Sequence, residues 1–290
     1  MFTTLVAVIA ALVLGHLAPV PMTVLRDWHW FGRWRQWLQA RLGADGRAGL
    51  WWALVPCVAL VAVLQWLLAG RLYGLPSLLF GIAVLVLCWG PRDLDRDVEA
   101  VLDAEDLAAH EAAVARLRAG GGGRREEAPT LVDAAFYGAL RRWFCPLFWF
   151  LLLGPSGAVL YRLLAEAPPV VPADADAPVA GRRAQALLEW PVAQLMALSM
   201  ALVGNFDTVF SAWRRAGGDR WELDLGFLGE AARAGVGVEL AEDAQDAREA
   251  GVALLAERHP ELRDAMSLVW RMLLLWMALL ALMIIAGWVG

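Results

Sequence analysis

"RRWFCPLFWFLLLGPSGAVLYRLL", residues 141–164, decides how this chain is read. It is apolar and long enough for a membrane span, yet Pro146 and Pro155 stand near its ends, and Gly154 and Gly157 flank the second proline. A helix that only anchors a chain in lipid has no use for them. Proline removes a backbone donor and crowds the carbonyl one turn back. Such breaks are tolerated in lipid only where neighbouring groups satisfy the freed backbone. Pro146 falls in the first turn, where it costs little, whereas Gly154-Pro155-Ser156-Gly157 is expected to bend or break the far half. The gap left by Gly154 and Gly157 is expected to face "WPVAQLMALSMALVG", residues 190–204, with Gln194 and Ser199 meeting the freed groups.

The rest of the chain fits the same setting. Of its 290 residues 60% are hydrophobic, and its mean hydropathy is +0.53. A soluble domain lies nearer half apolar, and here the excess is gathered into runs. About 20 apolar residues cross a bilayer as a helix. Residues 51–69, 74–90, 143–163 and 272–289 meet that test. The run 2–20 lacks the positive head and cleavage site of a signal peptide, so it is read as a retained membrane helix. Residues 187–204 hold Glu189 and Gln194, so this segment either enters partway or lies within a helix bundle. The expected fold is all-α, a polytopic integral membrane helix bundle with about 5–6 membrane-embedded helices and cytoplasmic amphipathic helices. It is read as a single domain over 1–290, with a cytoplasmic helical loop at 91–142 and a polar helical region at 205–267.

Orientation follows from arginine. Residues 16–50 carry five arginines and residues 91–142 carry eight, and two spans separate these loops. They share a side, which the positive-inside rule makes cytoplasmic, so Arg71-Leu72-Tyr73 faces outward. Sixteen tryptophans, many at segment ends, suit the headgroup level.

Between the spans, 92–118 has helical stripes of Leu94, Val98 and Val101, then Leu107, His110, Val114 and Leu117. Asp103 or Asp106 is expected to cap the second helix. Asp93, Asp95 and Asp97 alternate like a calcium loop, but Val98 stands where such a loop needs glycine, and a solvated face is expected instead. Residues 119–130 form a glycine-rich linker, and the proline-rich 166–178 is extended. Helical patches at 207–215, 222–233 and 241–258 are separated by Gly217-Gly218 and Gly235-Val236-Gly237.

Several chemistries are excluded. The chain has no lysine, because all 25 basic residues are arginine. That removes a Walker-type phosphate loop and a Schiff-base enzyme, both of which need the amine. The net charge of -5 argues against nucleic acid. Cys57, Cys88 and Cys145 lie in apolar runs, and His16, His29, His110 and His259 are scattered, so no metal or other cofactor is expected.

"FCPLFWFLLLGPSGAVLYRLL" resembles the central signature of the AmpE/CobD membrane family, a pattern running A-P-L-F-W, an apolar stretch, G-G/P-x-G-A, then Y-R. It falls on Pro146, Leu147, Phe148, Trp149, Gly154, Pro155, Gly157, Ala158, Tyr161 and Arg162. "LLEWPVAQLMALSMALVGNF" is similar to the family's W-x-P-x-R-L block ending in A-L-x-G, on Trp190, Leu195, Ala201, Leu202 and Gly204, with Gln194 replacing the family's arginine. The CobD arm makes an amide bond in cobalamin assembly, and its polar motifs are replaced here by "GHLAPVPMTVL", "FYGALRRW" and "LLAEAPPVV". The resemblance therefore implies the AmpE arm: a non-catalytic inner-membrane regulator of β-lactamase induction and cell-wall fragment recycling. Its expected partners are the lipid bilayer and a cell-wall fragment or another membrane or cytoplasmic regulator. The alternative is a divergent CobD-like amide-forming enzyme, with Glu189, Asn205, Asp207, Arg141, Arg142 and Arg162 converging near the membrane surface. A transporter finds no inverted repeat. No catalytic residue is assigned. The ligand-binding candidates are Arg141, Arg142, Tyr161, Arg162, Glu189, Gln194, Asn205 and Asp207, with the Tyr161 hydroxyl and Arg162 guanidinium offered to an anionic or carbonyl-bearing ligand.

Overall fold

The computed structural model of the protein describes residues 6–8, 10–11, 28–42, 46–69, 75–89, 93–120, 130–166, 177–249 and 259–286. These are 88% helical, without a strand among them. The helices are α1 (His29–Leu42), α2 (Gly46–Leu68), α3 (Leu75–Cys88), α4 (Leu94–Leu102), α5 (Leu107–Gly120) and α6 (Leu131–Ala139). A π-helical turn, Leu140–Phe144, leads into α7 (Cys145–Leu153) and α8 (Pro155–Ala165). They are followed by α9 (Ala177–Val203), α10 (Phe206–Arg215), α11 (Gly226–Glu249) and α12 (Pro260–Ile285). Three stretches are long and apolar enough to cross a membrane: Gly49–Leu68, Gly181–Val203 and Pro260–Ile285. With the shorter apolar α3, they make the chain an all-α membrane helix bundle. Most of the 2–20 segment lies outside the described residues, as do the Arg71-Leu72-Tyr73 turn, 121–129 of the linker, 167–176 of the proline-rich stretch, and 250–258.

The chain divides into two compact units. The first comprises Met1–Pro91, Cys145–Glu189 and Ala281–Gly290; the second comprises Arg92–Phe144 and Trp190–Leu280. In the first, α8 packs against α7, α2 and α3, and α1 lies on α2. Its core includes Phe31, Leu54, Leu85, Leu147, Phe150, Tyr161 and Leu163. Trp66 (76%) and Leu60 (62%) of α2 are exposed, as side chains facing lipid are.

The opening stretch is broken outright. Gly154 has φ 70° and ψ -159°, a region open essentially to glycine alone. Pro155 then starts α8 in the position where its missing N–H costs nothing. The resulting helices are about 14 Å and 16 Å long, each roughly half of the hydrocarbon core of about 30 Å. The freed amide does not find residues 190–204 as expected. Ser156 N donates to Gln65 Oε1 at 3.3 Å, so the partner comes from α2. The approach is close: a Cβ on Gly154 would stand 2.6 Å from Gln65 Nε2. Gly157 also serves a different neighbour, since a Cβ there would lie 2.3 Å from the Trp149 carbonyl of α7. Gln194 and Ser199 are occupied elsewhere: Gln194 pairs with Trp213 and Gly218, and Ser199 accepts from Trp276 Nε1 at 2.7 Å.

In the second unit α4 pairs with α5, α6 packs against α11, and α11 against α10. Asp106 caps α5, its Oδ1 accepting from Ala109 N at 2.6 Å. Gly217, with φ 78°, follows the end of α10 as the Gly217-Gly218 reading required. Gly235-Val236-Gly237, expected to interrupt a helix, instead lies inside α11. A Cβ on Gly235 would sit 3.3 Å from Leu268 and 3.4 Å from Val209. Here glycine allows close packing, which offsets its helix penalty of about 1 kcal/mol.

Gly154→Ala should destabilise the detergent-solubilised protein by about 1–3 kcal/mol, the usual cost of forcing a side chain into that region. Gln65→Leu should cost a similar amount by leaving the half-buried Ser156 amide without its acceptor in an apolar setting, about 1–3 kcal/mol. Melting curves for the two variants that overlay wild type would show that the break is not held in this way.

Candidate functional site

Arg142 shows how this chain handles a buried cation. It sits at the middle of the π-helical turn and is 1% exposed. Its Nη1 meets Asp97 Oδ2 at 2.7 Å, and its Nε donates to the Gly120 carbonyl at 3.2 Å. A Cβ on Gly120 would overlap the guanidinium, so the end of α5 must be glycine for this pair to form. The sequence places Asp97 on a solvated face, but it is buried at 7% exposure. Asp95, one of the same three, accepts from Trp270 Nε1 at 3.1 Å. Helical spacing shows that the three carboxylates diverge, but not that two of them turn inward. The pair locks α4 to the turn, and Arg142 is a structural group.

A second polar network fixes α6. Thr130 and Asp133 form a capping box, and buried Asp133 also pairs with Arg233 of α11. Tyr137 OH donates to the Leu225 carbonyl at 2.9 Å. Burial pushes the Tyr137 phenol above its ordinary pKa, and the carboxylates of Asp133 and Asp224 add to the shift while Arg141 and Arg233 oppose it.

Three more candidates serve local structure in the same unit. Gln194 Oε1 accepts from Trp213 Nε1 and its Nε2 donates to the Gly218 carbonyl, both at 2.8 Å, fixing the turn after α10. Asn205 is the N-cap of α10, accepting from Thr208 N at 3.1 Å. Asp207 is exposed in the first turn of that helix, where a negative charge suits the helix end. Arg141 is half-buried beside Arg142 in the π-helical turn.

The first unit is where candidates meet. Tyr161 is fully buried on α8, and its hydroxyl donates to Glu189 Oε1 of α9 at 3.1 Å. Gln185, one turn earlier on α9, donates to the same oxygen at 2.7 Å. Glu189 is 1% exposed, and a carboxyl group buried in an apolar helix is costly unless it is hydrogen-bonded. Trp149 Nε1 donates to the Leu188 carbonyl at 3.2 Å and pins α7 to α9 next to this group. Arg162, the next residue on α8, is 4% exposed and pairs with Glu166 one turn on at 2.5 Å. Its Nε is buried without a hydrogen-bond partner among the described residues. The candidate residues therefore form two separate sets of contacts from successive positions of α8, Tyr161 with Glu189 and Gln185, and Arg162 with Glu166; Gln185 and Glu166 are not singled out by the sequence. Both additions sit at i,i+4 spacing from their partners, and that was the available signal. Chemically, the cluster offers a hydrogen-bonded carboxyl group and a guanidinium edge to an anion or carbonyl.

The sequence profile of one family, described as regulatory signalling modulator protein AmpE, matches residues 47–259. The chain belongs to the AmpE family. The match contains the Gly154 break and all eight candidate residues, so the polar cluster lies within the AmpE-family region. No curated protein and no solved structure matches the chain significantly.

Arg142→Gln should cost about 3–5 kcal/mol, because it strands the Asp97 charge in the interior. Arg142→Gln with Asp97→Asn should recover much of that loss. A single variant as stable as wild type would mean that the pair carries no net stability.

Tyr137 makes a pH dependence testable. Its folded pKa lies above its unfolded value, so its stabilisation is complete below about pH 10 and is lost as the pH rises, because the unfolded chain gives up the phenolic proton first. Tyr137→Phe should flatten the fall of melting temperature above about pH 10. An equally steep fall in the variant would assign it to other groups.

Proposed function

We propose that this AmpE-family chain is a multi-pass inner-membrane regulator that modulates β-lactamase induction and cell-wall fragment recycling without catalysing a reaction itself. The observation that carries the regulatory reading is the family match over residues 47–259. The non-catalytic part is supported by how the polar side chains are spent: Arg142, Gln194 and Asn205 close internal hydrogen bonds. None of these contacts pairs a nucleophile with a general base, the arrangement that covalent chemistry needs. The arginines of 16–50 and 91–142 favour a cytoplasmic position for both loops.

On this reading the Tyr161–Arg162–Glu189 cluster is the receiving element. Cell-wall fragments carry carboxylates and amide carbonyls, and a buried guanidinium whose Nε has no partner among the described residues suits such groups. A fragment arriving there competes for Arg162 with Glu166, which is held by an i,i+4 contact. Regulation then follows from a changed packing of α8, with no bond made or broken.

In a host with inducible β-lactamase, Arg162→Gln combined with Glu189→Gln should lower the induced enzyme level about ten-fold or more at unchanged amounts of the membrane protein, equivalent to at least about 1.4 kcal/mol of lost coupling. Induction as strong as wild type in the double variant would remove the cluster from the mechanism. Rescue by this chain of a strain lacking the cobalamin amide synthase would establish the amide-forming alternative and end the non-catalytic reading.

A further inference from the structure

Between α1, α2, α3 and α8 lies an apolar cavity of about 490 Å³. Trp28, Trp30 and Trp34 contribute one set of walls, and Leu60, Val84 and Leu163 are among the rest. Its volume falls in the range of ligand pockets, about 300–1,000 Å³. One polar atom among its walls is unspent: Trp28 Nε1 is buried without a hydrogen-bond partner among the described residues. A buried indole N–H normally finds an acceptor.

The charge along α1, among the described residues, is of one sign. The α1 sequence, "HWFGRWRQWLQARL", contains Arg33, Arg35 and Arg41 and no acidic residue. Arg33 and Arg41 are exposed. Arg41 sits over the Trp37 ring at 5.6 Å, and Trp37 stacks on Trp34 at 5.3 Å and 15°. Trp34 lines the cavity and donates from Nε1 to the Ala53 carbonyl of α2 at 3.4 Å. A continuous aromatic stack thus joins a surface cation to the cavity wall. Trp30 and Trp37 remain 43% and 52% exposed. Tryptophan with arginine on a short helix beside apolar spans is the composition of an element lying at the membrane interface. Arginine at that level attracts anionic lipid.

We propose that this cavity holds one acyl chain of an anionic phospholipid, whose headgroup is bound by the exposed arginines of α1. The chemistry divides cleanly between the two ends. The apolar lining selects a hydrocarbon chain and gives no preference among headgroups. Arg33 and Arg41 supply that preference, and a zwitterionic headgroup gains less from them. This proposal does not rest on the regulatory reading.

The test is native mass spectrometry of the full chain released from detergent, with dioleoyl phosphatidylglycerol and dioleoyl phosphatidylcholine offered in equal amounts. One phosphatidylglycerol should be retained in about ten-fold or greater preference, the order that two surface arginines supply. The Arg33→Gln, Arg41→Gln double variant should bind the two lipids equally. Val61→Trp, which fills the cavity, should retain neither. The charge variant lies on an exposed helix face, so the headgroup arm is decided even if Val61→Trp fails to fold. Equal retention of the two lipids by wild type, or an undiminished preference in the charge variant, would overturn the proposal. So would a dimer mass abolished by Val61→Trp, which would make a second copy of the chain the occupant.

Discussion

The hydrogen bond from Ser156 N to Gln65 Oε1 is what makes the centre of the first unit possible. In lipid, a helix interrupted at Gly154-Pro155 exposes backbone groups that water cannot reach. Each must be met from within the protein. The amide side chain of Gln65, placed in an otherwise apolar span, answers one of them. Its position in turn requires that residue 154 have no side chain. Once the break is held, α8 can pack against α2, α3 and α7 together, which a straight span leaving α7 in one direction does not do. Tyr161 and Arg162 are thereby carried into the interior.

The absence of lysine has a structural counterpart. Buried cations in this protein have more than one demand to meet, and the guanidinium fork can meet several at once. Arg142 engages a carboxylate and a carbonyl simultaneously. The exposed Arg271 likewise engages Glu239 and the Val203 carbonyl. A lysine ammonium, compact and strongly hydrated, would gain less from such planar arrangements and lose more on burial.

How much was legible depended on the distance between cause and effect along the chain. The all-helical membrane class was readable from hydrophobic runs, and the Gly154-Pro155 break from two adjacent residues. The Asp106 cap and the Gly217 turn were equally local. The partner of the break was not legible, because Gln65 stands 91 residues from Ser156 and nothing in local spacing points to it. Asp97 was misread for the same reason: its cation lies 45 residues away, and a carboxylate on an amphipathic helix looks solvated until that cation is placed. Gly235 failed differently. Propensity alone makes it a breaker, yet the space needed by Leu268 and Val209 makes it part of a continuous helix. Of the candidate site, the Tyr161 and Glu189 positions were readable as polar groups in apolar helices, but not the hydrogen bond that joins them.

The geometry of α8 connects the two features that remain functional proposals. Successive residues on an α-helix are rotated by about 100°. Val159 and Leu163, four apart, share a face, and both line the apolar cavity. Tyr161, two residues beyond Val159, lies on the far side and meets Glu189. One short helix, bounded at its start by the Gly154 break, therefore presents its apolar face to the cavity and its polar face to the candidate cluster. A chain inserted on one side presses on the same rigid element whose other side positions the Tyr161 hydroxyl. Because interiors are close-packed, a shift of α8 at one face must be taken up at the other. Gly154, the hinge of that element, has no side chain to resist the movement, and Gln65 holds it through a single hydrogen bond.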